Sequence, residues 1–209
     1  MIRSNKKQNT GEASHTASQV TILANQAMEG NKTAFDQLID LFHEDVYRMV
    51  YYRTGNRMDA EDITQEIFLN AFKSLSKLKN AERFRAWLFR IGLNRVRDFY
   101  RKKRVLSIFK IYTESDEIEE PGATFNDPPE ALDNLTKQEF WKHIRLLLNK
   151  LGRKEREVFL LRFIDHLTIN EISHILKINE SSVKTHLYRA LHKFRKDRKL
   201  IPLLKEEVL

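Results

Sequence analysis

The chain has 209 residues, of which 41% are hydrophobic, with a formal net charge of +8 and no cysteine. That length admits one or two small domains with modest cores, and the missing thiols exclude disulfides, cysteine-ligated zinc and thiol sensing within the chain. No run of about 18 apolar residues occurs, and Met1-Ile-Arg-Ser-Asn-Lys-Lys-Gln8 has no apolar core behind its charges, so no membrane insertion is expected and the cytoplasm is the expected location. The positive balance favours a polyanionic partner without telling DNA from RNA or a membrane surface.

Residues 1–17, rich in Ser, Thr, Asn and Gln, have little to bury and read as a disordered tail. Residues 18–104 then repeat apolar side chains at helical spacing. Phe35, Leu38, Ile39, Phe42, Val46, Met49 and Val50 make one stripe, and Ile63, Ile67, Phe68, Ala71, Phe72 and Leu75 make the next. Strand signals are lacking, so the expected fold is all-α, and the first domain is a helical bundle.

The start of the second stripe is acidic. Asp59, Glu61, Asp62, Gln65 and Glu66 open a helix, where carboxylates suit the macrodipole. Asp59, Asp62 and Glu66 share a face, but one helix face without histidines or a Gly-rich loop makes a poor metal site. The useful reading is an acidic, partly apolar docking surface, with Phe68, Asn70 and Lys73 beside it, for a basic protein partner.

Charge then reverses. Residues 76–104 carry eleven Lys and Arg against Glu82 and Asp98, a local net charge of +9. Phe84, Trp87, Leu88 and Ile91 are spaced to pack this helix on the bundle, whereas Arg90, Asn94, Arg97 and Arg101 follow at intervals of four, three and four on a different face. Such a stripe suits a phosphate backbone, and the loop Lys77-Leu-Lys-Asn80 before it suits an unstacked base.

Residues 105–136 read as an acidic flexible linker: between Ile111 and Thr136 there are eight acids, no Lys or Arg, and Pro121, Gly122, Pro128 and Pro129. Helical periodicity resumes over 137–200, a second helical domain, before a short tail at 201–209. Inside it Thr168 to Glu171 forms a Thr-x-x-Glu capping box opening one helix, Lys177-Ile178 breaks it, and Asn179 caps the next. That is helix-turn-helix patterning, in which Lys177 meets a backbone cost if the turn needs positive φ. In the second helix Val183, Leu187 and Leu191 are expected inward. Ser181, Ser182, Lys184, Thr185, His186 and Arg189 are expected outward, short polar groups at the base-reading end and cations further along.

Together these segments resemble the sigma-70 family of bacterial RNA polymerase initiation factors, in its small extracytoplasmic-function group. The resemblance runs from about Val20 to Lys199. It rests on Ala34-Phe35, on Asp59-Ala-Glu-Asp62-Ile-Thr-Gln65-Glu66-Ile-Phe68, and on Phe84-Arg-Ala-Trp87-Leu-Phe-Arg90-Ile with Asn94, Asp98 and Arg101-Lys102. In the second domain it rests on Lys154-Glu-Arg-Glu-Val-Phe-Leu-Leu-Arg162, Glu171-Ile172 and Ser182-Val-Lys184-Thr185.

The resemblance implies that the first domain binds the clamp helices of core RNA polymerase, an enzyme with beta and beta-prime subunits, through Asp59, Asp62, Gln65, Glu66, Phe68, Asn70 and Lys73. It implies that Lys77, Lys79, Asn80, Arg83, Arg90, Asn94, Arg97, Arg101 and Lys102 recognise and melt the −10 element of promoter DNA. Ser181, Ser182, Lys184, Thr185, His186 and Arg189 would read the −35 element, and an anti-sigma factor between the domains is a further implied partner. No cofactor, metal or catalysed reaction is implied. A LuxR-type helix-turn-helix regulator is the alternative, fitting Glu155-Arg-Glu-Val158 and Asn179 to His186 but leaving the first domain's charged faces unexplained. A metal-dependent enzyme using Asp59, Asp62 and Glu66 is the distant third, because the seven histidines lack ligand spacing.

Overall fold

The computed structural model describes residues 8–111 and 148–195, with side chains over 18–104 and 148–195. Helix α1 runs Gln8–Met28. It starts inside the stretch expected from its composition to be a tail, because once nucleated a helix satisfies its backbone internally and extends at little cost beyond the part that packs. Leu23, Ala24 and Ala27 are its buried contacts.

Asn31 ends the connection to α2 (Lys32–Thr54), its side-chain oxygen accepting from the N–H of Ala34 at 3.1 Å. The expected stripe is buried except at Ile39, which is half-buried at its edge: Phe35, Leu38, Phe42, Val46, Met49 and Val50 are all 6% exposed or less. Gly55 stops α2 in the left-handed region at φ 69°, donating to the carbonyl of Tyr51. Asn56 caps α3 (Arg57–Ser74) through the N–H of Asp59. Ile63, Ile67, Phe68 and Ala71 face the core, but Phe72 is 49% exposed and touches it only by its edge, with its ring 5.2 Å from that of Phe35.

Two short 3-10 turns, pinned by buried Leu78 and Ala81, lead into α4 (Phe84–Ile111). Phe84, Leu88, Phe89, Leu93 and Val96 are buried, and Trp87 packs partly buried against Phe84. Gly92 lets α4 lie close on α2, since a Cβ there would sit 2.3 Å from Cε of Met49. The backbone of 105–111 continues this helix, so the helix end expected at Arg104 lies seven residues later, while the acidic segment 112–136 falls outside the described residues.

In the second domain α5 (Arg153–Phe159) passes into a wider turn of π type at Leu160–Ile164, followed by α6 (Ile169–Leu176) and α7 (Glu180–Arg195). Leu148, Leu151, Phe159, Leu160, Ala190 and Phe194 make a core of its own, with the ring centroids of Phe159 and Phe194 4.5 Å apart. Its other apolar face, Val158, Leu161, Leu167, Ile172, Ile175 and Val183, joins the core of the first domain. Two helical domains are present as the pattern implied, and they are packed against each other.

Candidate nucleic-acid interface

The hairpin α6–α7 is assembled by short-range hydrogen bonds. Thr168 accepts from the N–H of Glu171 at 3.2 Å, while the Glu171 carboxylate accepts from the N–H of Thr168 at 2.7 Å. Lys177 occupies the left-handed region at φ 55° and ψ 45°, the turn its position demanded. Asn179 caps α7 through the N–H of Ser182 at 2.7 Å, and Asn170 of α6 donates to Glu180 of α7 at 3.0 Å.

The outer face of α7 exposes Ser181, Lys184, Thr185 and Arg189, as expected. Ser182 is half-buried beside the cap. His186 is half-buried too, and its Nδ1 is enclosed without a partner, so this expected base reader is turned partly inward. Tyr188, 69% exposed, takes a place on the outer face that the sequence reading left out. The inner face also differs: Val183 is buried with Ala190 and Phe194, whereas Leu187 and Leu191 are only half-buried. A four-residue repeat drifts about 40° per step around a helix of 3.6 residues per turn, so the core passes from one row to the next. Lys193, further along, is tied to Glu155 at 2.7 Å, a bond that holds the Glu155 carboxyl below its usual range.

Along α4, Asn94, Arg97 and Arg101 are exposed and Arg90 is half-buried; Lys77, Lys79, Asn80, Arg83 and Lys102 are exposed around them. Arg101 pairs with Asp98 at 3.2 Å, a solvated contact that DNA can displace at small cost. Asn80 has its side-chain oxygen committed to the N–H of Glu82 at 2.8 Å, which shapes the loop. Arg95 turns away from this stripe to pair with Glu66 on α3.

The acidic face needs one correction. Phe68 is 7% exposed and its ring stacks on His43 at 6.1 Å, so it supports the face from within and presents no surface. The large apolar groups that do emerge from α3 are Met58, 75% exposed, in its first turn, and Leu69, 58% exposed, and Phe72 further along; an exposed leucine beside a buried phenylalanine follows from the step of about 100° per residue around a helix. Asp62, Gln65, Glu66 and Lys73 are exposed, and Asp59 and Asn70 are half-buried. Among the described residues no group of three His, Cys, Asp or Glu is placed to hold a metal ion.

Comparison with known proteins decides between the readings of this surface. The family model for Sigma-70 region 2 matches residues 38–105, and that for Sigma-70, region 4 matches residues 142–194. The chain belongs to the sigma-70 family. Its relatives place it in the extracytoplasmic-function group: it is 31% identical over 179 residues to the ECF RNA polymerase sigma factor SigW of Bacillus subtilis, covering 82% of this chain and 92% of that one. The RNA polymerase sigma factor CnrH of Cupriavidus metallidurans is 31% identical over 169 residues, covering 81% and 88%. A solved structure of CnrH in complex with the cytosolic domain of CnrY superposes with a TM-score of 0.63 at 26% identity, over 88% of this chain and 99% of that one. The sigma factor RpoE of Bartonella quintana, solved with the anti-sigma factor NepR, shares the fold with a TM-score of 0.61 at 20% identity, over 80% and 98%. A LuxR-type regulator offers no counterpart to the matched region 2, and that alternative falls.

The contact between regions 2 and 4 was not legible in the sequence. Arg53, at the end of α2, reaches Asp165 at the end of the π-type turn, Nη2 to Oδ2 at 2.7 Å, with side-chain exposures of 6% and 0%. The wide turn aims this carboxylate, the N–H of Asp165 returning to the carbonyl of Leu160 at 3.0 Å. Burial pushes the Asp165 carboxyl above its usual range while the Arg53 guanidinium pulls it back. Arg85 of α4 donates to the carbonyls of Asp165 at 3.1 Å and His166 at 3.4 Å and to the Glu171 carboxylate at 3.3 Å. His166 turns its carbonyl there by adopting φ 52°. Arg97 of the basic stripe meets Glu157 of α5 at 3.0 Å.

Proposed function

We propose that this chain binds bacterial core RNA polymerase through the outer face of α3 and directs promoter-specific initiation, catalysing no reaction itself. Asp62, Gln65, Glu66 and Lys73 make the charged part of the polymerase contact, flanked by Asp59 and Asn70, and Leu69 and Phe72 supply its apolar part. The observation that carries the reading is the match of both regions, in order, to one family, on a structure in which Lys184, Thr185 and Arg189 are exposed along α7, the second helix of a capped hairpin.

On this reading α7 enters the major groove of the −35 element with Ser181, Ser182, Lys184, Thr185 and Arg189 foremost and His186 supporting from the side. Lys77, Lys79, Asn80, Arg83, Arg90, Asn94, Arg97, Arg101 and Lys102 hold the −10 element, and contacts to its melted strand stabilise open DNA. The domain limits are 18–104 and 137–200, joined by the acidic segment 105–136. The protein works in the cytoplasm with polymerase; no described helix is long and apolar enough to cross a membrane. An anti-sigma factor is a further partner, supported by the complexes in which CnrH and RpoE were solved.

The test is transcription by purified core polymerase from a promoter library. Selective initiation that depends on the chain is the expected result. Failure to bind core, with specific duplex binding by the chain alone, would end the sigma-factor reading. An Arg90→Ala, Arg97→Ala double variant is expected to keep core binding and lose promoter opening.

A further inference from the structure

One histidine of α7 is held differently from the polar groups around it. His186 closes the second turn of the helix and shares a row with Ser182, four residues before it, and Arg189, three after. Lys184, Thr185 and Arg189 are exposed, whereas the His186 ring is half-buried. Its two nitrogens meet opposite surroundings. Nδ1 is fully enclosed, and no group among the described residues forms a hydrogen bond with it. Nε2, which the covalent geometry of imidazole sets farther from the backbone, is open and makes no bond within the chain.

That asymmetry fixes the proton. A neutral imidazole donates from one nitrogen and accepts at the other. A proton on Nδ1 would press on the atoms that cover that nitrogen and find no acceptor there, and buried N–H groups without partners are the rarest kind of unpaired polar group. A lone pair needs less room and is left unpaired more readily. The proton therefore belongs on Nε2, at the open edge of the ring. Lys184 and Arg189 bring long, flexible cations that suit phosphates as well as bases. A short ring held along one side brings a single donor in one direction, which suits one base edge.

We infer that His186 is a specificity-determining residue of fixed tautomer, whose Nε2–H donates to the O6 of guanine or the O4 of thymine at one position of the −35 element. Adenine and cytosine present an amino group at the corresponding place in the major groove, a donor facing a donor, and are rejected. The inference rests on the sigma-factor reading for which duplex is bound, and on the ring's surroundings for the donor itself.

Side-chain amides separate the two nitrogens. Glutamine places its NH2 group about where Nε2 stands, and asparagine about where Nδ1 stands. Initiation by core polymerase with the full-length chain, from promoters randomised across the −35 element, reads selectivity position by position. Wild type should favour guanine or thymine at one position by about fivefold, the worth of one neutral hydrogen bond. His186→Gln should keep that preference, and His186→Asn and His186→Ala should lose it, with core affinity and the −10 preferences unchanged. A second measurement leaves the protein intact: the selected base is replaced by an analogue that lacks the accepting oxygen. The analogue should lower wild-type initiation about fivefold and His186→Ala no further.

Equal effects of glutamine and asparagine, a −35 profile unchanged by alanine, or an analogue that costs wild type nothing would each overturn the inference. So would a uniform loss across the library, the mark of a phosphate contact. A wild-type chain that initiates from no promoter would instead sink the sigma-factor reading. Enrichment of random duplexes by the chain alone, with the same three variants, then carries the test, and identical duplexes enriched by wild type and His186→Ala would overturn the inference there.

Discussion

The recognition hairpin and the acidic face of α3 are both surface sites on helices, yet they are built in opposite ways. In the hairpin the capping and helix-to-helix hydrogen bonds span ten residues or fewer: Thr168 with Glu171, Asn179 with Ser182, Asn170 with Glu180. On α3 the partners come from elsewhere, His43 under Phe68 and Arg95 over Glu66. A site made by local bonds tolerates changes in the rest of the fold, whereas one made by distant neighbours inherits the bundle's packing.

The comparison can be broken most severely through the core. Phe84→Ala, at 1% exposure, should cost about 3–5 kcal/mol of stability in urea titrations. It should abolish α3-dependent polymerase binding while leaving the hairpin's helical signal largely intact. Equal loss of both would show that the hairpin leans on region 2 more than its hydrogen bonds imply.

Tyr100 offers a test through pH. Burial and the charge of Asp59 raise its hydroxyl to about 12 from an ordinary 10.0. The folded state therefore keeps a proton that the unfolded chain loses, and stability should fall as pH rises from about 10 to about 12. Tyr100→Phe should flatten that slope and cost about 1 kcal/mol at neutral pH for the lost bond to Arg53. An unchanged alkaline slope would mean that the hydroxyl is not held as the geometry has it.

In the hairpin, Asn179→Ala should cost about 1 kcal/mol by removing one cap. Lys177→Gly should gain roughly 0.5–1 kcal/mol, since glycine adopts φ 55° without the Cβ penalty. Thermal melts of the two variants should move in opposite directions, and a loss in both would place the turn's stability in the lysine side chain.

The smallest stability effect belongs to α3. Glu66→Gln removes a solvated pair with Arg95 and should shift stability by about 0.5 kcal/mol or less. Its affinity for core polymerase should nevertheless fall severalfold. An affinity equal to wild type would remove Glu66 from the interface.

These contrasts explain what was legible. The caps, the left-handed Lys177 and the outward Lys184, Thr185 and Arg189 could be read because their causes lie within a turn or two of chain. Phe68 was misplaced because helical spacing gives the angle between side chains and not the neighbour that covers one of them. Leu187 and Leu191 were set too deep for a related reason, a row followed past the point where the core moves on to Ala190 and Phe194. Tyr188 was within reach of the sequence, standing four residues after Lys184 on the exposed face.

By itself the sequence determined the all-α class, the stripes that bury Phe35 to Val50 and Ile63 to Ala71, the reversal of charge from α3 to α4, and the recognition hairpin, because periodicity and capping act over a few residues. Only the tertiary structure decided which acids and cations meet across the molecule. Arg53 and Asp165 stand 112 residues apart in the chain, and a charge buried at that separation leaves no periodic trace; it exists only where two helices and a wide turn happen to converge.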